Sequence, residues 1–183
     1  MTHLILASGS PRRREILERL GYRFTVRPVD LDESRLPGER ALDYVRRLAE
    51  EKARADARPG ELVLGADTIV VLGEELLGKP ADEKAAISML EQLSGRQHQV
   101  STGIAVFNVD EDQLVVEAET TQVCFLPLEE QAIRDYVSSG EPMDKAGAYA
   151  IQGGGGDFVE SINGSFSNVV GLPEALARRL LAS

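Results

Sequence analysis

The sequence predicts a mixed α/β fold, a twisted central sheet flanked by helices, and three stretches carry that reading. His3–Ser8 is a short apolar strand that gives way at Gly9 to a proline-started helix, a strand, tight loop and helix unit. Leu62–Leu72 is nearly continuously apolar apart from Asp67 and Thr68, as expected of a strand buried on both faces in a parallel or mixed sheet. Gln97–Asn108 and Gln113–Phe125 alternate as two long strands joined across the polar turn Val109–Asp112, which is an antiparallel hairpin.

The remaining elements follow from local chemistry. Ser10 offers a hydroxyl cap and Pro11 the first helical residue, Ile16, Leu17 and Leu20 form one apolar face, and Gly21 suits the left-handed end of that helix. Tyr22–Val26 reads as a second strand, Pro28–Gly38 as an acidic loop carrying Asp30, Asp32 and Glu33, and Ala41–Ala57 as a helix burying Leu42, Val45, Leu48 and Ala49. After the turn at Gly78-Lys79-Pro80, Asp82 caps a helix with Ala85, Ala86, Met89, Leu90 and Leu93 at helical spacing. Leu128–Val137 returns to helical periodicity, Gly153–Gly156 is a flexible or tightly approached loop, and Pro173–Leu181 closes the chain as a helix.

A chain of 183 residues buries about two thirds of its extended surface without a disulfide staple, and one domain over residues 1–183 is expected. No segment approaches the roughly 18 apolar residues of a membrane helix. The N-terminal apolar run precedes the arginines, the reverse of a secretory signal, and the single Cys124 builds no disulfide framework, so a reducing cytoplasm is expected. The formal charge of −10 and the 5% aromatic content argue against nucleic-acid binding. An anionic ligand would require locally concentrated positive charge.

Ser8-Gly9-Ser10-Pro11-Arg12-Arg13-Arg14 supplies such charge, joined to a glycine, two hydroxyls and a helix start. Free amides and guanidinium forks suit phosphate, whereas a well-capped helix with solvated arginines is the plainer reading. Arginines at about 100° per residue point in different directions, so not all three can face one ligand. Asp67, in an apolar strand, needs compensation, by a divalent cation or, on the plainer reading, by a salt bridge or a capped turn at a strand end. Glu33 is either a second metal-side carboxylate or a solvated loop acid. Lys52 and Lys79 can each give phosphate a point charge, or face solvent. The Gln152 amide can read a base edge, while the glycines around it can equally serve packing. His3 and His98 are too few for a histidine metal site, and no G-x-S-x-G elbow supports a serine hydrolase.

Several of these segments in order resemble the Maf family of nucleoside triphosphate pyrophosphatases, nearly end to end. They are Ala7-Ser8-Gly9-Ser10-Pro11-Arg12-Arg13, Gly65-Ala66-Asp67-Thr68, Gly78-Lys79-Pro80, Leu93-Ser94-Gly95-Arg96, Asp144-Lys145-Ala146-Gly147-Ala148-Tyr149, Ile151-Gln152-Gly153, and Asn168-Val169-Val170-Gly171-Leu172-Pro173. The resemblance implies two lobes around a cleft in a Maf/Ham1-like fold, and cleavage of a nucleoside triphosphate between its α and β phosphates in house-cleaning of nucleotide pools. The Asp-Lys-Ala-Gly-Ala-Tyr and Ile-Gln-Gly segments look like the branch acting on dTTP and UTP, with CTP or modified pyrimidine nucleotides as further substrates. It also implies Asp67 as proton acceptor and Arg12, Thr68 and Gln152 as base-selecting positions. On that reading Ser8, Arg12, Arg13, Lys52 and Lys79 hold substrate, Glu33 and Asp67 hold Mg²⁺ or Mn²⁺, and Arg14 is a surface residue. A homodimer fits the family. A nucleotide-binding regulator of septation or cell division with little turnover is the rival expectation.

Overall fold

Thirteen regular elements, described here in a computed structural model for residues 3–182, follow the sequence pattern closely. They are β1 (His3–Leu6), α1 (Pro11–Arg19), β2 (Phe24–Val26), α2 (Ala41–Arg54), β3 (Glu61–Leu72), β4 (Glu75–Leu77), α3 (Glu83–Leu93), β5 (Gln97–Asn108), β6 (Gln113–Phe125), α4 (Glu130–Ser138), β7 (Val159–Asn163), α5 (Phe166–Val170) and α6 (Glu174–Leu181). The sheet has seven strands in the order β2-β1-β3-β5-β6-β7, with β4 paired to β3. It is mixed: β1 runs parallel to both β2 and β3, whereas β4 and β7 pair antiparallel with β3 and β6. No helix among the described residues is long and apolar enough to cross a membrane.

The residues group into two compact units. The first comprises residues through Thr68, 102–119 and those from Gly171 on; the second comprises 69–101 and 120–170. In the first, Ile5, Ala49, Ala53, Val63 and Phe107 form a buried cluster. Helix α2 contributes to it because Tyr44, Val45, Leu48, Ala49, Lys52 and Ala53 recur on one face at helical spacing, and only Lys52 in that set is charged. Two glycines let this helix approach the strands. A Cβ on Gly65 of β3 would lie 2.2 Å from the Ala49 carbonyl oxygen, and one on Gly103 of β5 would lie 2.3 Å from that of Val45. Asp67 is two residues beyond Gly65, so strand alternation turns it to the same face.

The second unit packs α3, α4 and the loops before β7 around an aromatic group. His98 and Tyr149 both meet Phe125 edge-on, with ring centroids 4.9 and 4.8 Å apart, and Tyr136 meets Phe158 at 5.1 Å. Gly147 adopts φ 68°, and its amide donates to the Gly78 carbonyl at 3.1 Å, which ties the Gly-Lys-Pro turn to the Asp-Lys-Ala-Gly-Ala-Tyr segment.

Several boundaries shift, for physical reasons. Strand β1 ends at Leu6 because Ser8 is drawn into a side-chain network with Arg13. The second strand starts at Phe24 and α2 ends at Arg54, each shorter than the pattern alone predicts. Leu42 is exposed because it sits in the first turn of α2, outside the helix face that meets the strands. The segment read as a glycine loop instead forms a 3-10 turn over Gly154–Phe158. Strands β4 and β7, three and five residues long, have no marked pattern of their own and arise by pairing with longer neighbours.

Candidate active site

Ser10 caps α1, its hydroxyl accepting from the Arg13 amide at 3.5 Å, and Pro11 occupies the first helical position. The three arginines then diverge. Arg14 is exposed and pairs with Glu18 one helical turn on, at 2.8 Å. Arg13 turns inward and is spoken for by the protein. Its Nε donates to the Gly171 carbonyl at 2.8 Å, Nη1 to the Ala66 carbonyl at 2.9 Å and to Ser8 Oγ at 3.0 Å, and Nη2 to Thr68 Oγ1 at 3.1 Å. Four of its five N–H groups are thus engaged, leaving at most one for a ligand. Burial pushes the Arg13 pKa down, the nearby Asp67 charge opposes this, and Arg12 adds to it by repulsion. Arg12 is half-buried.

Ala66 and Thr68 flank Asp67 in sequence, so Arg13 grips the backbone before that carboxylate and the threonine hydroxyl after it. Thr68 Oγ1 also shares a 2.8 Å hydrogen bond with Thr102 Oγ1. Its hydroxyl therefore belongs to a network before any base could use it.

Asp67 itself is buried, and Lys52 comes to it from the inner face of α2, with Nζ 2.7 Å from Oδ1. The same ammonium lies 2.7 Å from Glu33 Oε1. The side chains of Lys52 and Asp67 are only 9% and 10% exposed, while that of Glu33 is 40% exposed, so the pair is buried and its third member is at the rim. The Tyr44 hydroxyl donates to the Glu33 carbonyl at 2.9 Å and holds the acidic loop over α2. Burial pushes the Asp67 carboxyl above its ordinary value of 3.8; Lys52 and Arg13 pull against that, and Glu33 adds to it. A carboxylate whose charged form is disfavoured by burial is the more ready to accept a proton.

Two carboxylates sharing one ammonium already converge on a cation, and that donor pair fits a divalent ion. Among the described residues no three His, Cys, Asp or Glu side chains converge, so further oxygens would come from water and phosphate, as Mg²⁺ prefers.

Ser8, Arg13, Asp67, Thr68, Lys52 and Glu33 all belong to the first unit, and the contacts above link them. Lys79 and Gln152 belong to the second, and both are exposed. Lys79 follows Gly78, whose carbonyl anchors the turn. Gln152 lies between Ala150, whose amide donates to the Tyr136 hydroxyl at 3.0 Å, and Gly153, whose amide donates to the Ala150 carbonyl at 3.1 Å. Sequence reasoning missed the bracing role of Arg13 and the part played by Tyr136. The carbonyl of Gly171 could have been suspected from its motif, but the tyrosine carries no local signal.

Residues 3–183 match the family model described as Maf-like protein. The chain is 57% identical over 176 residues to a protein of Pectobacterium atrosepticum named dTTP/UTP pyrophosphatase, covering 94% of this chain and 88% of that one. It is 55% identical over 184 residues to one of the same name from Anaeromyxobacter dehalogenans, covering 97% and 92%. A further relative so named, from Myxococcus xanthus, is 55% identical over 174 residues, covering 94% and 87%. The solved structure of a HAM1 protein from Coxiella burnetii superimposes with a TM-score of 0.55 over all of both chains at 16% identity, a likeness of fold alone. With a family model spanning nearly its whole length and relatives above half identity, this chain belongs to the Maf family.

Proposed function

We propose that the protein hydrolyses dTTP and UTP to the nucleoside monophosphate and pyrophosphate, the activity for which its relatives are named, in house-cleaning of nucleotide pools. The observation that carries this reading is the buried Asp67, raised in pKa and set against Lys52 and Arg13, in a chain more than half identical to those relatives.

Asp67 takes a proton from a water molecule as the water oxygen attacks the α phosphorus. The bond from that phosphorus to the oxygen bridging to the β phosphate breaks, and pyrophosphate leaves with the bridging oxygen. Arg12, Lys52 and Lys79 supply positive charge for the triphosphate and for the charge that gathers on the leaving group. Arg13, tied to the Ser8 hydroxyl, braces Ala66 and Thr68 on either side of Asp67, and its remaining N–H serves a phosphate oxygen. A divalent ion, Mg²⁺ or Mn²⁺, held by Glu33 and Asp67 would screen phosphate charge and make bound water more acidic. Gln152, with its carbonyl and amide exposed, and Thr68 contribute base selection by hydrogen bonding. A chain whose single cysteine, Cys124, allows no internal disulfide suits a reducing cytoplasm.

The test is a panel of dTTP, UTP, CTP and GTP assayed for pyrophosphate and orthophosphate with and without Mg²⁺, alongside Asp67→Asn. Pyrophosphate is expected as first product from dTTP and UTP, and its release should fall at least about a hundredfold in the variant, the scale on which general base catalysis operates. Orthophosphate as first product would overturn the bond assignment. Bound but intact nucleotide would instead favour a binding protein with a regulatory role in septation.

A further inference from the structure

Gln152 lies in a short segment whose neighbours are gathered at one tyrosine. Tyr136, on the buried face of α4, accepts the Ala150 amide at 3.0 Å through its phenolic oxygen. The Tyr136 ring and the Glu141 carboxylate both border Gly154, on the far side of Gln152. Tyr136 thus holds the backbone two residues before Gln152 through its hydroxyl, and with Glu141 it packs against the two glycines that follow.

The contacts continue through the glycines. A Cβ on Gly153 would fall 2.0 Å from Glu141 Oε1, so the carboxylate occupies the space that any other residue there would fill. A Cβ on Gly154 would fall 3.1 Å from the Tyr136 ring. The segment also bonds to itself, Gly153 N–H to the Ala150 carbonyl at 3.1 Å and Gly156 N–H to that of Gly153 at 3.0 Å. Beneath it, the Tyr136 ring meets Phe158 edge-on. Gln152, the residue that all this surrounds, remains exposed. Its side chain gains a defined origin while keeping its own donor and acceptor unspent.

The glycine run, which the sequence leaves open between a flexible and a tightly approached loop, serves close approach. Glycines at 153 and 154 admit the carboxylate and the ring, and the backbone that would otherwise be free is held at its amides. We propose that Tyr136, with Glu141, is a specificity-determining positioning pair that fixes the segment bearing Gln152, so that discrimination among bases depends on a hydroxyl that never touches the base. This rests on the base-reading role given to Gln152 above. Selectivity by hydrogen bonding needs donors and acceptors held in register, and a displaced amide loses discrimination before it loses binding.

The experiment is a double-mutant cycle on selectivity. Tyr136→Phe removes the hydroxyl and keeps the ring, and kcat/KM is measured for UTP and CTP in wild type, Tyr136→Phe, Gln152→Ala and the double variant. The UTP to CTP ratio is expected to fall about five- to tenfold in Tyr136→Phe, the scale of one hydrogen bond, with no further fall when Tyr136→Phe is added to Gln152→Ala. The ratio is insensitive to the fraction of protein folded, so a merely structural role for Tyr136 would leave it unchanged. An unchanged ratio, or an equal loss in the Gln152→Ala background, overturns the proposal. Amide hydrogen exchange gives a readout independent of turnover: the amide of Ala150 should exchange faster in Tyr136→Phe than in wild type. Unaltered protection there overturns the clamp even in an active enzyme. Absence of hydrolysis of any nucleotide would refute the proposed function instead, with the exchange experiment still deciding the clamp.

Discussion

Removing an ionised carboxylate from water costs several kcal/mol unless a partner of opposite charge is held close, and Asp67 is almost wholly enclosed. Lys52 is that partner, at 2.7 Å, and it serves Glu33 at the same distance. Replacement by an isosteric apolar side chain isolates the charge. Lys52→Met should lose about 3 kcal/mol of stability at neutral pH, since truncating one member of a buried pair strands the other. Mn²⁺ should then restore more stability to the variant than it adds to wild type, because the two carboxylates would lack their resident cation. Denaturant melts with and without Mn²⁺ measure both effects; a loss under about 1 kcal/mol would place the pair in the class of weak exposed bridges. The need for compensation at Asp67 was legible in the sequence, because an acid stood in an apolar strand. The compensating residue was not, although Lys52 follows Val45 and Leu48 by seven and four positions, on the same helical face.

At the level of elements, the Lys52 and Asp67 contact depends on how closely α2 lies on β3. Gly65 sets that distance, with the Ala49 carbonyl and the Ala53 amide occupying the space of a Cβ. Both are backbone atoms of a helix, so nothing there can swing aside. Gly65→Ala should destabilise by about 3 kcal/mol, at the upper end for overpacking, and should lower turnover further than the lost stability explains, because α2 must retreat with Lys52 upon it. Gly78→Ala, where a Cβ meets open space, is the control. Equal midpoints for Gly65→Ala and wild type in urea would remove the close-approach argument. The long elements were readable because periodicity averages over many residues: β5 and β6 span the predicted residues without a shift. The short ones were not. Val159–Asn163 is a strand because β6 offers it an edge, with Val123 opposite Ile162, and nothing local to five residues encodes that offer.

Across the whole molecule, 30 acidic residues stand against 20 basic ones, and one buried group makes a distinct contribution to the pH dependence of stability. That group is His98. The sequence could say only that two histidines do not make a metal site; the structure puts His98 in the core, with Nε2 2.8 Å from the Tyr149 hydroxyl and its ring edge-on to Phe125. Burial pushes its pKa from 6.5 down to about 4. Between those values the unfolded chain binds a proton that the folded chain refuses, so stability rises with pH across that window. The contribution is complete above about 6.5 and is lost as pH falls through about 4, amounting to about 3 kcal/mol. Glu39 and Glu61 are held below the ordinary carboxylate value of 4.5 by Arg47 and Arg27, and they too withdraw stability on acidification, but at lower pH. A His98→Gln variant keeps an amide near Tyr149 and lacks the titration. It should be less stable than wild type at pH 7.5 and should lose less between pH 6.5 and 4.5, so that the two stability curves converge. Denaturant melts across that range provide the measurement, and parallel curves would show that the His98 proton is not what makes the fold acid-sensitive there.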